Sequence, residues 1–250
     1  MKHIKPYQIF EASAAAPQAL IQEQIDWLDK CSKRKWKINP QTGLVDVNGH
    51  FDCGFQVLTD FKGVKFGKVS GDFRCENNQL TTLEGAPQIV GKHFYCSANQ
   101  LTSLEGAPHS VGGDFYCSDN QLTSLEGAPH SVGVTFYCNN NQLTTLEGAP
   151  QRVGGAFYCN GNQLTSLVGA PQIFGGYYYC GSNPVSSGTL KGIFELMKNG
   201  MGYQQAVDEF WPEMGDEDRA VLYKQMTNLS PEDIRKYKAM TTYSNIKNYL

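Results

Sequence analysis

The stretch VGGDFYCSDNQLTSLEGAPHS, Val111 to Ser131, returns with little change every 21 residues through the middle of the chain. A fixed period of this length marks a solenoid, because one unit is too small to bury its own apolar face and must stack on its neighbours. The register is carried by aromatic-x-Cys triplets at Phe73–Cys75, Phe94–Cys96, Phe115–Cys117, Phe136–Cys138, Phe157–Cys159 and Tyr178–Cys180. A fainter copy, Phe51-Asp52-Cys53 with Leu58 and Phe61 behind it, opens the array 22 residues earlier, giving about seven rungs.

The cysteine of each of the six triplets is followed three residues later by an asparagine, from Asn78 to Asn183, and most of these lead into N-Q-L-T-x-L. One short strand is expected on each triplet. Alternation then turns Phe115 and Cys117 inward and Tyr116 outward, with Leu122, Leu125 and Val132 completing the interior. The asparagine sits at the bend, where its amide can both donate and accept for backbone groups left unpaired by the turn. Glycine and proline make L-E-G-A-P an extended, irregular outer wall.

Composition narrows the functional classes. With 250 residues, 40% of them hydrophobic, the chain can build a sizeable core. From Gln41 to Pro184 there are six Lys or Arg against eleven Asp or Glu, with no cation between His93 and Gln151. Binding nucleic acid needs clustered cations, so no nucleic-acid partner is expected. Seven of the eight cysteines recur in the rung register, which marks them as small apolar core residues rather than a disulfide framework. Reduced thiols and a cytoplasmic setting are expected. No run of 18 apolar residues and no apolar signal region occurs, so neither membrane spanning nor export by a signal is expected.

The flanks divide the chain into 1–40, a leader and N-terminal capping helix; 41–185, the solenoid; and 186–250, a helical domain or cap. From Pro17 to about Cys31, Leu20, Ile21, Ile25, Leu28 and Cys31 share a helical face with Trp27 beside it. Lys30, Lys33, Arg34, Lys35 and Lys37 gather at the end of that helix, and Leu44–Val47 before Asn48-Gly49 reads as an opening strand and turn. Helices are expected over Thr189–Asn199, Tyr203–Phe210 and Asp216–Thr227, and from the capping signature Ser230-Pro231-Glu232-Asp233 onward.

The pattern Phe115-x-Cys117-x-x-Asn120-x-Leu122-x-x-Leu125 resembles the leucine-rich repeat, with Phe and Cys in two leucine sites, over about 140 residues. The resemblance implies an α/β fold: a parallel-sheet horseshoe whose concave face binds another macromolecule, usually protein. The short proline-bearing return is similar to the bacterial type. The wording NQLTSLEGAP then VGGDFYC, between Val45–Gly49 and Asn183-Pro184-Val185, resembles repeat proteins of large tailed bacteriophages. Met1 to Glu11 is similar to the capsid-targeting leader of phage internal head proteins, ending at Ile9-Phe10-Glu11 and implying a cut before Ala12.

The outward column reads Arg74, Tyr95, Tyr116, Tyr137, Tyr158 and Tyr179. Tyrosine provides rigid contact area and a polar tip, which suits capture; stacking between strands is the competing structural role. Flanking columns add His93, Asp114 and Tyr177 on one side and Ser118, Asn139 and Asn160 on the other. No cofactor or metal is expected: the wall glutamates Glu84, Glu105, Glu126 and Glu147 read as solubility residues, and His109 with His130 makes only two ligands. No rung breaks the pattern as a catalytic constellation would. The expected function is therefore non-enzymatic capture of another protein, and the bacteriophage resemblance implies that this partner is a host defence or regulatory protein. The alternatives are an effector enzyme whose repeats select substrate for the C-terminal helices, where Asp208, Glu209 and Trp211 cluster, and a virion structural protein.

Overall fold

The computed structural model describes residues 19–171 and 173–184, with Met201, Gln205, Ala206 and Glu209; the expected leader, and the helices beyond 185 apart from those four positions, lie outside the described residues. The helix α1 runs Gln22–Ser32. It starts later than Pro17, because Ile21 is extended and Gln24 Oε1 accepts the Ile21 N–H at 2.9 Å. Ile21 is accordingly 62% exposed, and the buried stripe is Trp27, Leu28 and Cys31. Trp27 packs edge-on against Phe51 (5.2 Å) and Phe66 (6.2 Å), seating α1 on the first rung.

After a left-handed Lys33, the chain enters β1 (Trp36–Ile38), which pairs antiparallel with β2 (Val45–Val47). The basic run thus spans a helix end and a strand. This three-residue strand escapes a reading by periodicity because lysines flank and punctuate it.

Beyond β2, each turn contributes two strands rather than the single one expected. One series, Phe66–Val69, Ile89–Val90, Ser110–Val111, Ser131–Val132, Arg152–Val153 and Ile173–Phe174, continues β1 and β2 into an eight-stranded sheet. The other, Phe51–Asp52, Phe73–Arg74, Phe94–Tyr95, Phe115–Tyr116, Phe136–Tyr137, Phe157–Tyr158 and Tyr178–Tyr179, forms a seven-stranded sheet. Rung-to-rung pairing is parallel and in register, with Phe115 opposite Phe136 and Tyr116 opposite Tyr137. The described chain is therefore a β-solenoid with 21-residue turns and one full helix, where the α/β horseshoe expectation had one sheet and an irregular wall. A two-residue strand between proline and a Gly-Gly corner carries too little periodicity to be read in advance. None of the described helices is long and apolar enough to cross a membrane.

Identical side chains stack inside. The Phe column runs from Phe51 through Phe157 to Tyr178, with neighbouring centroids 5.2–5.6 Å apart and all the rings fully buried. Burying each such ring contributes about 1.5–3 kcal/mol. The cysteines lie beside them, and their thiols donate to the next rung's strand carbonyl, as Cys96 Sγ does to Tyr116 O at 3.2 Å. Burial pushes the Cys75, Cys117 and Cys138 thiols well up, which keeps them protonated and unreactive packing groups.

The asparagines occupy the bend as expected and reach across rungs. Asn99 donates to Cys75 O, Cys96 O and Ser97 O, and accepts Leu80 N–H at 3.0 Å. The preceding residue is left-handed in every rung: Asn77, Asp119, Asn140, Gly161 and Ser182 suit this conformation better than Ala98, at φ 54°. Ala98→Gly is expected to raise stability by about 0.5–1 kcal/mol, the left-handed cost outweighing glycine's extra chain entropy. Urea unfolding would show this as a higher midpoint at unchanged slope.

Candidate functional site

The outward tyrosines come from the second residue of each strand in the seven-stranded sheet. Because those strands are in register, Tyr95, Tyr116, Tyr137, Tyr158 and Tyr179 superpose. Their rings stack face to face, with centroids 4.5–4.8 Å apart and planes within 10° of parallel. The Arg74 guanidinium carbon lies 4.3 Å from the Tyr95 ring centre, extending the stack by one cation. The faces of the inner rings are thus occupied by each other. What the column offers outward is a row of ring edges and hydroxyls, half-buried from Tyr95 to Tyr158 and 42% exposed at Tyr179.

The flanking residues are joined to this row unevenly. Tyr116 OH donates to Asp114 Oδ2 at 3.1 Å, and His93 Nδ1 lies 3.0 Å from the same oxygen. That nitrogen also lies 3.0 Å from the Asp114 amide. A bare Nδ1 accepts the amide, and a protonated one donates to the carboxylate; it serves one at a time. The same arrangement recurs one pair earlier, where His50 Nδ1 is 3.0 Å from both Asp72 N and Asp72 Oδ2. His50, Asp72, His93, Asp114 and Thr135 therefore form a linked polar edge, continued by Thr135 N–H donating to Asp114 Oδ1.

On the other flank Ser118 is buried and its hydroxyl donates to Asn139 Oδ1 at 2.6 Å, while Asn160 continues the column, half-buried. Tyr177 stands 66% exposed at the late end, 6.0 Å from the Tyr179 ring. All twelve expected site residues lie on or beside one sheet face. No family model, curated protein or solved structure matches this chain.

Electrostatics keep several hydroxyls of this face neutral. Burial holds the Tyr116 hydroxyl well above its ordinary range, with the Asp114 charge adding to the effect; burial also raises Tyr95 and Tyr158. These hydroxyls stay protonated and act as neutral donors near pH 7. At the early end, Arg74 Nη1 sits 3.3 Å from Glu76 Oε1, while Glu76 Oε2 is buried without a partner. Burial raises the Glu76 carboxyl. The alternating His–Asp edge was legible only as separate polar columns, because its linkage depends on side-chain direction across rungs.

Proposed function

We propose that the chain is a non-enzymatic binding protein that captures another protein on the outward face of its seven-stranded sheet. The observation that carries this is the five-ring tyrosine row, stacked in register and edged by neutral hydroxyls, with small polar groups and one carboxylate–imidazole string beside it. Such a row is rigid before any partner arrives, so little side-chain entropy is lost on contact. The 21-residue unit and its wording support assignment to the short leucine-rich repeats of large tailed bacteriophages. On that reading the partner is a host defence or regulatory protein met in the host cytoplasm.

Stacking gives the tyrosines a structural role as well, so the test must separate the two. Tyr116→Ala with Tyr137→Ala removes three stacked pairs and is expected to cost about 2–4 kcal/mol along with capture. Replacing Tyr95, Tyr137, Tyr158 and Tyr179 with Phe retains the rings and removes only hydroxyls. That variant should keep its melting temperature and lose most of the capture seen in a host-lysate pull-down. Full capture by it would mean that the row only holds the sheet together, and the reading would fail.

A further inference from the structure

The first rung departs from the repeat at two neighbouring positions, and each departure exposes an apolar side chain. In later rungs the left-handed residue after the strand is small or polar, as at Asn77, Asp119 and Gly161. In the first rung it is Phe55, at φ 58° and 74% exposed. Two residues on, Val57 has φ 59° and is 66% exposed, whereas Gln79 and Gln100 at the same place in the next rungs do not have positive φ. Left-handed backbone is unfavourable for a bulky ring and more so for a β-branched residue.

The surroundings hold this loop in place. Phe55 N–H donates to Glu76 O, and the amides of Gln56 and Leu58, on either side of Val57, both donate to Asn78 Oδ1 at 3.0 and 2.9 Å. Gln56 takes the asparagine's place in the repeat and instead binds α1, accepting Trp27 Nε1–H at 3.0 Å. Neither Phe55 nor Val57 joins the core, so their side chains return nothing to the fold for the strain they carry. Strain kept under these conditions points to use.

The chemistry beside the pair defines what fits it. Asp52 is exposed, with Oδ1 accepting Gly54 N–H, and a Cβ at Gly54 would touch the Glu76 carboxyl at 3.4 Å, placing that group next to Phe55. Arg74 answers one Glu76 oxygen and leaves Oε2 buried and unpaired, so two carboxylates face one cation. This excess of negative charge beside the pair favours a cationic group, and Asp52 is the exposed carboxylate that such a group can reach.

We infer that Phe55 and Val57 anchor a docking surface for a segment of another protein that pairs an apolar side chain with lysine or arginine. The apolar group packs on Phe55 and Val57, and the cation pairs with the exposed Asp52 carboxylate, with the Glu76 carboxyl buried behind it. This rests on the capture reading above and adds to it a location, at the early end of the tyrosine row, and a partner chemistry.

The test uses the full chain against an array of hexapeptides pairing Lys or Arg with Leu or Phe, a matched array with Glu in place of the cation, and phosphatidylcholine vesicles. The basic array should bind and the other two should not. F55N with V57N should weaken binding at least tenfold while raising the melting temperature, since asparagine tolerates the left-handed region. D52N with E76Q should weaken it about tenfold with the apolar pair intact. Equal binding to the acidic array or to vesicles, undiminished binding by F55N/V57N, or a fall in that variant's melting temperature would each overturn the inference. Host-protein capture that survives F55N/V57N but disappears in the four-phenylalanine variant sinks this inference and leaves the capture reading standing. Peptide binding that obeys these rules while the four-phenylalanine variant captures normally does the opposite.

Discussion

Asn120→Ala is expected to destabilise the solenoid by about 3–5 kcal/mol, a large fraction of what a domain commonly possesses. The asparagine is buried, accepts Leu101 N–H at 3.1 Å, and donates to Cys96 O, Cys117 O and Ser118 O. The three carbonyls would each retain another partner: Asn99 on Cys96 O, Asn141 on Cys117 O and the Ala98 amide on Ser118 O. Leu101 N–H would retain none, and an orphaned buried amide accounts for about 1–3 kcal/mol of the loss. The two amide hydrogens shared among the three carbonyls make up the rest, at about 0.5–1.5 kcal/mol each. Asn120→Asp keeps the shape and should be at least as damaging, because an acceptor-only carboxylate would then face three carbonyl oxygens. Urea unfolding of both variants checks this; an Asn120→Asp protein as stable as the parent would show that the amide's donors are not needed.

Gly133→Ala should cost at least about 3 kcal/mol, beyond the ordinary range for overpacking, because the obstruction is backbone that cannot rotate away. Gly133 lies at the corner between the two sheets, where a Cβ would overlap the carbonyl oxygen of Gly112 and lie 2.7 Å from its carbon. The rungs approach this closely because Gly133 N–H donates to Val111 O at 2.9 Å and the strands on either side are in register. Gly181→Ala is the matched control: a Cβ there meets nothing within 4 Å, so stability should change by less than about 0.5 kcal/mol. Equal melting temperatures for Gly133→Ala and the parent would require the rungs to separate at the corner without loss, contrary to the geometry. Gly106 is constrained twice, by φ 85° and by a Cβ position 2.7 Å from the Leu83 carbonyl, so its substitution should also fail.

The candidate site was legible in proportion to how strictly it follows the repeat. Tyr95 to Tyr179 fall outward because the strand period is two and their Phe and Cys neighbours are core. Ser118 and Asn139 needed the structure to become a bonded pair, since the hydroxyl and amide meet only across rungs. The Asp114 contacts to Tyr116 and His93 likewise join residues two and twenty-one positions apart. Phe55 and Val57 are not legible in the sequence because a weak first copy resembles a degenerate repeat, and only the backbone angles distinguish decay from strain. The later start of α1 follows from the Gln24 side chain capping Ile21, a local competition that the apolar periodicity does not register.

The 21-residue period by itself determined that the chain stacks into a solenoid, which column lies inside, that the cysteines pack rather than bridge, and that an asparagine holds the bend in every rung after the first. These follow from burial and alternation, which depend on residue order alone. Only the tertiary structure decided that each turn holds two parallel strands, that the tyrosines spend their faces on one another and present their edges, and that the first rung carries a strained apolar pair beside an unpaired carboxylate oxygen. Those features arise where rungs meet in space, and no distance between rungs is written along the chain.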